Sequence, residues 1–330
     1  NISGTILTGA DLTDASLAGT DLSGMDLTGT ILRGIDLSEK NISGTILTGA
    51  DLTDASLASG HLSGKNFKNT IFDGVNLSGK NLSNSDFSYT NFAGANLENT
   101  DLTSALFLDV DLTKIKNKSL AGTDLFNTSF AYSNLSGISL DGAILGFNNF
   151  SNANLSGLDF TVTDVITDRL IFMESNLSNS NFEGVDLSPK VTTSEYFKNK
   201  AYLIRDVAQT PDAEAMITDE LFGKNSNIII ISTEVHGNDL VVNFIFYNSF
   251  ARANLENANF KNADLEFANF YQANLTNADL SGADLRKAFL GWADLSNADL
   301  SNADLSNADL SGAILDGAML NCKNHVVCVS

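Results

Sequence analysis

Hydrophobic residues recur in this chain at every fifth position. From Ile2 to Leu112 each fifth residue is Ile, Leu or Phe, and the frame resumes, shifted by three, at Leu120 and runs through Phe130 to Phe150. A second regular stretch, Phe250 to Leu320, has Leu or Phe at every central position and Ala two residues before each from Ala253 to Ala318. A helix cannot use this period: at about 100° per residue, each step of five turns the apolar position by about 140°, and no face accumulates. In extended chain, residues two apart share a side, so Ala293 and Leu295 point inward together while Asp294 points out. Five is odd, however, so a straight strand would send the next Leu to the opposite side. A bend in every repeat restores it, and the Ser, Thr, Gly and Asn between central residues are turn formers. The pattern therefore predicts an all-β coil.

The number of sides follows from longer periods. Residues 1–18 recur unchanged at 41–58, a unit of eight pentapeptides, which divides into two four-sided coils and not into three-sided ones. Central phenylalanines also recur twenty apart, at Phe67, Phe87 and Phe107, at Phe72 and Phe92, at Phe130 and Phe150, and at Phe250 and Phe270, as stacked core columns would. Runs such as residues 273–285, ANLTNADLSGADL, resemble the pentapeptide-repeat family. The resemblance covers about four fifths of the chain. It implies a right-handed four-sided β-helix whose bore is filled by the central Leu or Phe and the small residue before it. At ~4.8 Å per coil, about thirteen coils make a rod of roughly 60 Å.

The repeats divide the chain into residues 1–188, with frame slips near 113–119 and 164–172, and a regular stretch 249–320, followed by a cap at 321–330. The first slip, KIKNKS, gathers Lys114, Lys116 and Lys118 in a bulged corner loop. Residues 189–248 do not repeat. Residues 194–207 and 211–222 read as helices, the second opening on Pro211 with acidic residues in its first turn. NIIIISTEV and LVVNFIFYN flank the turn HGND as a β-hairpin, so the insertion reads either as a small α+β module set in the rod or as a side arm packed against it. It is either the place for recognition of a protein partner or an ornament the rod tolerates. Glu234, His236 and Asp239 lie at this turn, with no nucleophile or further ligand at an informative spacing.

Three lysines, Lys40, Lys65 and Lys80, take the inward position two before the central residue. A buried unpaired ammonium is costly, so the coil is expected to open locally and let the amine reach a corner carbonyl or water. Outward columns stack Asp264, Asp284 and Asp304, and Asp279 and Asp299. Such carboxylates are candidate Ca²⁺ ligands, but bonds from side chain to local backbone explain Asp and Asn here without a metal. No cofactor is expected. Cys322 and Cys328 bracket KNHVV after the last repeat; a disulfide closing the terminal coil is favoured over a Cys-His-Cys metal site with His325, which lacks a fourth ligand.

Net charge is −21, and two prolines, Pro189 and Pro211, both mark the non-repeating stretch. Acidity argues against direct nucleic-acid binding, and no apolar run approaches the ~20 residues of a membrane span. Sequons at Asn76, Asn81, Asn134, Asn154, Asn176 and Asn274 suit a secreted protein but arise from the repeat itself. The chain starts at Asn1 in mid-repeat, as a processed or truncated product would.

The first functional expectation is a non-catalytic scaffold at the cell surface or outside it, self-associating end to end into filaments through the uncapped N-terminal end. The second comes from the resemblance: some members mimic duplex DNA and bind type II topoisomerases, which would place the chain in the cytoplasm. The insertion holds five Lys and Arg against eight Asp and Glu, leaving −18 on the repeats. Over the rod's length that is about half the charge density of duplex DNA. The third expectation is a rigid spacer presenting residues 189–248 to a protein partner.

Overall fold

The computed structural model describes residues 6–13, 15–57, 60, 62–165, 169–189, 193–197, 228–236 and 239–328. Its repeats form a four-sided β-helix. Most pentapeptides contribute one residue to a parallel bridge with the coil before, at a step of twenty along Asp26↔Ile46, Ile31↔Asp51 and Asn76↔Asn96. Where two adjacent residues pair, the bridge lengthens into short parallel strands: β1 (Asp36–Leu37) with β2 (Ser56–Leu57), and β3 (Ile144–Leu145) with β4 (Asp164–Val165).

One pentapeptide shows how the coil turns. The amide of Ala263 donates to the carbonyl of Phe260 (3.0 Å) and closes a turn whose third residue, Asn262, has φ 56°. That left-handed corner recurs throughout, filled mostly by Gly or Asn, for which it is least costly. The residue before the centre, here Asn259, accepts the Lys261 amide on its side-chain oxygen (3.0 Å), so Asp and Asn fix the chain just ahead of each corner. Central Leu and Phe side chains are buried along the bore, with the Ala two before them.

The step between bridged residues changes three times. It becomes 23 at Asp101↔Asp124, where the surplus is taken up by a bulge containing the 3₁₀ turn Lys116–Lys118, and 22 at Asn149↔Ile171. It becomes 78 at Ile171↔Ser249, Asn176↔Asn254, Asn181↔Asn259 and Asp186↔Asp264. All of the last surplus leaves the coil between Leu187 and Asn248. Across all three changes the core phenylalanines stay in one column: Phe67, Phe87, Phe107, Phe130, Phe150, Phe172, Phe250 and Phe270 stack with successive centroid distances of 5.2, 5.0, 5.0, 5.6, 5.3, 4.9 and 4.9 Å. A second column pairs Phe72 with Phe92 at 5.4 Å, and a third runs through Phe160, Phe182 and Phe260.

Outside the rod, β5 (Thr193–Phe197), β6 (Ile228–His236) and β7 (Asp239–Phe246) form an antiparallel sheet of order β5-β7-β6. The hairpin β6-β7 turns where HGND predicts it, with His236 opposite Asp239. The expected helix over 194–207 is corrected at its start, because Thr193–Phe197 is a strand. Its Thr, Tyr and Phe suit a pleated surface, and pairing with β7 in register Thr193↔Phe244 overrides the helical pattern. The rest of that segment, and the helix expected over 211–222, lie outside the described residues.

Candidate functional site

The inward lysines are satisfied by backbone carbonyls. Lys40 Nζ donates to Leu17 O (2.6 Å), Lys65 Nζ to Ile42 O (2.8 Å) and Thr45 O (3.3 Å), and Lys80 Nζ to Leu57 O (3.0 Å). Thr30, Thr45 and Thr70, at the same position in other repeats, donate a hydroxyl to the equivalent carbonyl. Lysine is thus a long substitute for threonine, at a cost to the ladder. Among the described residues no bridge joins Ile46 to Asn66, and Lys65 takes the Thr45 carbonyl that the ladder would use. Burial pushes the Lys65 ammonium below its ordinary pKa.

In the outward aspartate columns, Asp279 and Asp299 accept the amides of Ser281 (2.9 Å) and Ser301 (2.8 Å), and Asp304 that of Ser306 (2.9 Å). The Asp264–Asp304 column is partly neutralised from within. Arg286 donates Nε to both oxygens of Asp284 at 2.8 Å and reaches Glu266 at 3.2 Å, while Lys287 bridges to Glu266 at 3.0 Å and lies 4.3 Å from the centre of the Phe267 ring. Burial, with Asp186, Asp284 and Glu266 nearby, raises the Asp264 carboxyl. Among the described residues no group of three or more His, Cys, Asp or Glu is arranged to hold a metal ion. The sequon asparagines also serve the fold: Asn76 and Asn81 accept the amides of Ser78 and Ser83, and Asn134 that of Ser136. Asn154, Asn176, Asn254 and Asn274 pass amide hydrogen bonds along one face at 3.1, 3.3 and 2.9 Å.

At the C-terminal end Cys322 and Cys328 form a disulfide, so neither is a thiolate ligand beside His325. The clipped loop adds one more rung, Lys323 N to Ala303 O (2.9 Å), and borders a shallow concavity of about 880 Å³ with His325 and Val326. At the first slip Lys116, Asn117 and Lys118 are exposed, and Asn117 bonds Glu98 at 3.4 Å. Glu234 and His236 lie in β6 and Asp239 in β7.

The region with the most chemistry is where the sheet rejoins the rod. Buried Asn248 closes the interrupted coil, accepting the Leu170 amide (2.7 Å) and donating to Leu187 O (2.6 Å). Tyr247, the residue after β7, packs over the outer face of the Phe67 column, 6.1 Å from the Phe289 ring. With Ile171, Met173, Tyr271, Arg252 and Asn269 it lines a cavity of about 400 Å³. Burial raises the Tyr247 hydroxyl, which bonds Asn269. Arg252 bonds Gln272 (3.1 Å) and pairs with Glu174 (3.3 Å). Periodicity had singled out none of these residues. The one signal available was bulky residues, such as Arg252 and Trp292, at corners where other repeats have Gly or Asn.

Pentapeptide repeats, in eight copies, match residues 1–34, 35–74, 50–88, 81–116, 119–157, 249–286 and 290–321. Among solved structures, a pentapeptide repeat protein from the thylakoid lumen of Arabidopsis thaliana is 38% identical over 22% of this chain and 52% of its own, with a TM-score of 0.22, so the match spans about half of that relative. HetL, a pentapeptide repeat protein involved in heterocyst differentiation regulation from the cyanobacterium Nostoc, is 23% identical over 92% of each chain, with a TM-score of 0.22. Full-length QnrB1, a plasmid-mediated fluoroquinolone resistance protein, is 16% identical over 89% of this chain and 92% of its own, with a TM-score of 0.19. No curated protein matches the chain. Among the described residues no helix is long and apolar enough to cross a membrane.

Proposed function

Since the chain belongs to the pentapeptide-repeat family, we propose that it is a non-catalytic scaffold, a stiff rod that carries the 189–248 module at a fixed height on one corner for a protein partner. The supporting observation is the junction. Phe172 stacks on Phe250 at 4.9 Å although 77 residues separate them, and four consecutive bridges resume at the same step of 78. A module that leaves and returns without disturbing the column is one the rod tolerates and holds, and β7 is tied down at its end by Tyr247 and Asn248. Stability in such a stack is a sum over neighbouring coils, so the rod does not need the module.

Deleting residues 190–247 removes the surplus of 58 over the ordinary step of twenty and joins Pro189 to Asn248. Pro189 then falls at a left-handed corner that proline cannot adopt, so the deletion carries Pro189→Gly. The shortened chain is expected to keep the β-helix circular dichroism and to melt within a few degrees of the full chain. Loss of cooperative folding would show that the module is part of the rod and overturn the reading. A gyrase supercoiling assay separates the alternative: inhibition by the full chain at low concentration, retained after the deletion, would favour the DNA-mimic expectation instead.

A further inference from the structure

We infer that the outer face of the Phe67 column, from Leu106 to Trp292, is the surface on which two copies of this chain pack side by side. Of the twelve exposed large hydrophobic side chains among the described residues, eight lie on this face or at the corner that follows it along the whole rod, and five of these, Leu106, Tyr132, Tyr271, Phe289 and Trp292, fall within the stretch from Leu106 to Trp292. Over the seven coils from Leu106 to Gly291, no residue flanking the central Leu or Phe on this face is charged, whereas each other face carries Asp or Glu over the same coils. At the corner, Glu174 and Arg252 pair with each other, which leaves Asp109, on the first coil of the stretch, as its one exposed carboxylate outside that pair. Enrichment in aromatics and Met with depletion of Asp, Glu and Lys is the composition of a protein interface core.

Backbone conformation is an independent observation. Tyr89, Tyr132 and Trp292 occupy left-handed corners at φ 61°, 61° and 59°, where the same column has Asn69 and Asn152, and Gly312 follows one coil on. A bulky side chain there is disfavoured relative to Gly or Asn, so the fold alone does not ask for these rings. Trp292 lies with its indole against Gly312, where a Cβ would come within 2.8 Å of the ring, and still exposes 63% of its surface.

Charge selects the occupant. With a net −21 the copies repel, and they can approach closely only where carboxylates are missing from the face. The face repeats every ~4.8 Å, so its rungs match those of an identical face on either side of Tyr247, which packs against it beside Phe289. Six coil steps give about 30 Å of length, and three residues of backbone plus corner side chains about 20 Å of width. That is about 600 Å² per copy, at the low end for specific association, so a dimer in the micromolar range is expected.

The chain has a single tryptophan, Trp292, which makes the face its own probe. Raising protein concentration should shift Trp292 emission to the blue in step with a monomer–dimer transition in sedimentation equilibrium. Added NaCl should tighten the dimer by screening the repulsion. Trp292→Asn with Tyr271→Ser places residues found at equivalent positions in other coils; it should leave the fold and melting temperature intact or improved and weaken association at least tenfold. A chain monomeric at all concentrations, a dimer that the double variant retains, or one that loosens with salt would overturn the inference. The last would point to charge pairing through the Lys114–Lys118 loop.

Discussion

Lys65 and Asp264 show what a five-residue unit demands of a single side chain. Where the inward position is polar it donates to a carbonyl one coil away, and threonine does so without breaking the ladder, while alanine fills the same position without a donor. Lys65→Thr is therefore expected to restore the Ile46–Asn66 bridge and stabilise the rod by about 1 kcal/mol, the net worth of one recovered backbone hydrogen bond. Because burial depresses the Lys65 pKa, the unfolded chain binds the extra proton, and the penalty present at neutral pH is relieved as pH rises toward the ordinary lysine value. The advantage of the variant, measured by thermal melts, should shrink over that range. Asp264 has the opposite chemistry: its carboxyl is raised, so its burden is present above the raised value and relieved as pH falls through it. Asp264→Asn keeps the bond to the Glu266 amide and should gain about 0.5 kcal/mol at neutral pH, discounted for its exposure, with no gain under acid. Exposed Asp11 and Asp36 are lowered by bonds from Thr13 and Ser38, so their contribution is lost as pH falls. The inward lysines were legible because the period of five assigns every residue a direction. The corner aromatics were not, since the cost of a left-handed tyrosine or tryptophan is a backbone property that periodicity does not carry.

Between coils, the phenylalanine column is the element that holds the rod together. The sequence groups Phe67, Phe87 and Phe107, then Phe130 and Phe150, then Phe250 and Phe270, as separate sets, because slips of three, two and 58 residues destroy the count of twenty. Only the fold shows that Phe172 joins the last two sets, 5.3 Å from Phe150 and 4.9 Å from Phe250. Phe172→Ala should cost about 4 kcal/mol for the lost ring and the cavity it leaves. Since each coil is supported only by its neighbours, calorimetry should then resolve two transitions, one for each side of the gap. A single unshifted transition would show that the column does not couple the halves. The β6–β7 hairpin was readable from its β-branched runs and turn residues. β5 was not, because a strand that pairs with a partner more than forty residues away leaves no local period to find.

At the scale of the whole molecule, a period of five fixes a rod, and a departure from that period fixes what the rod carries. The acidic surface keeps copies apart on three faces, and the fourth, with Tyr271 and Trp292, is shaped for contact. The proposed scaffold role rests on the coils being continuous through the junction at Leu187 and Asn248. Small-angle X-ray scattering of the 190–247 deletion with Pro189→Gly, made monomeric by Trp292→Asn and Tyr271→Ser, tests that continuity most directly. A single rod of roughly 60 Å with one uniform cross-section is expected. A bent particle, or two bodies joined at the deletion point, would contradict it.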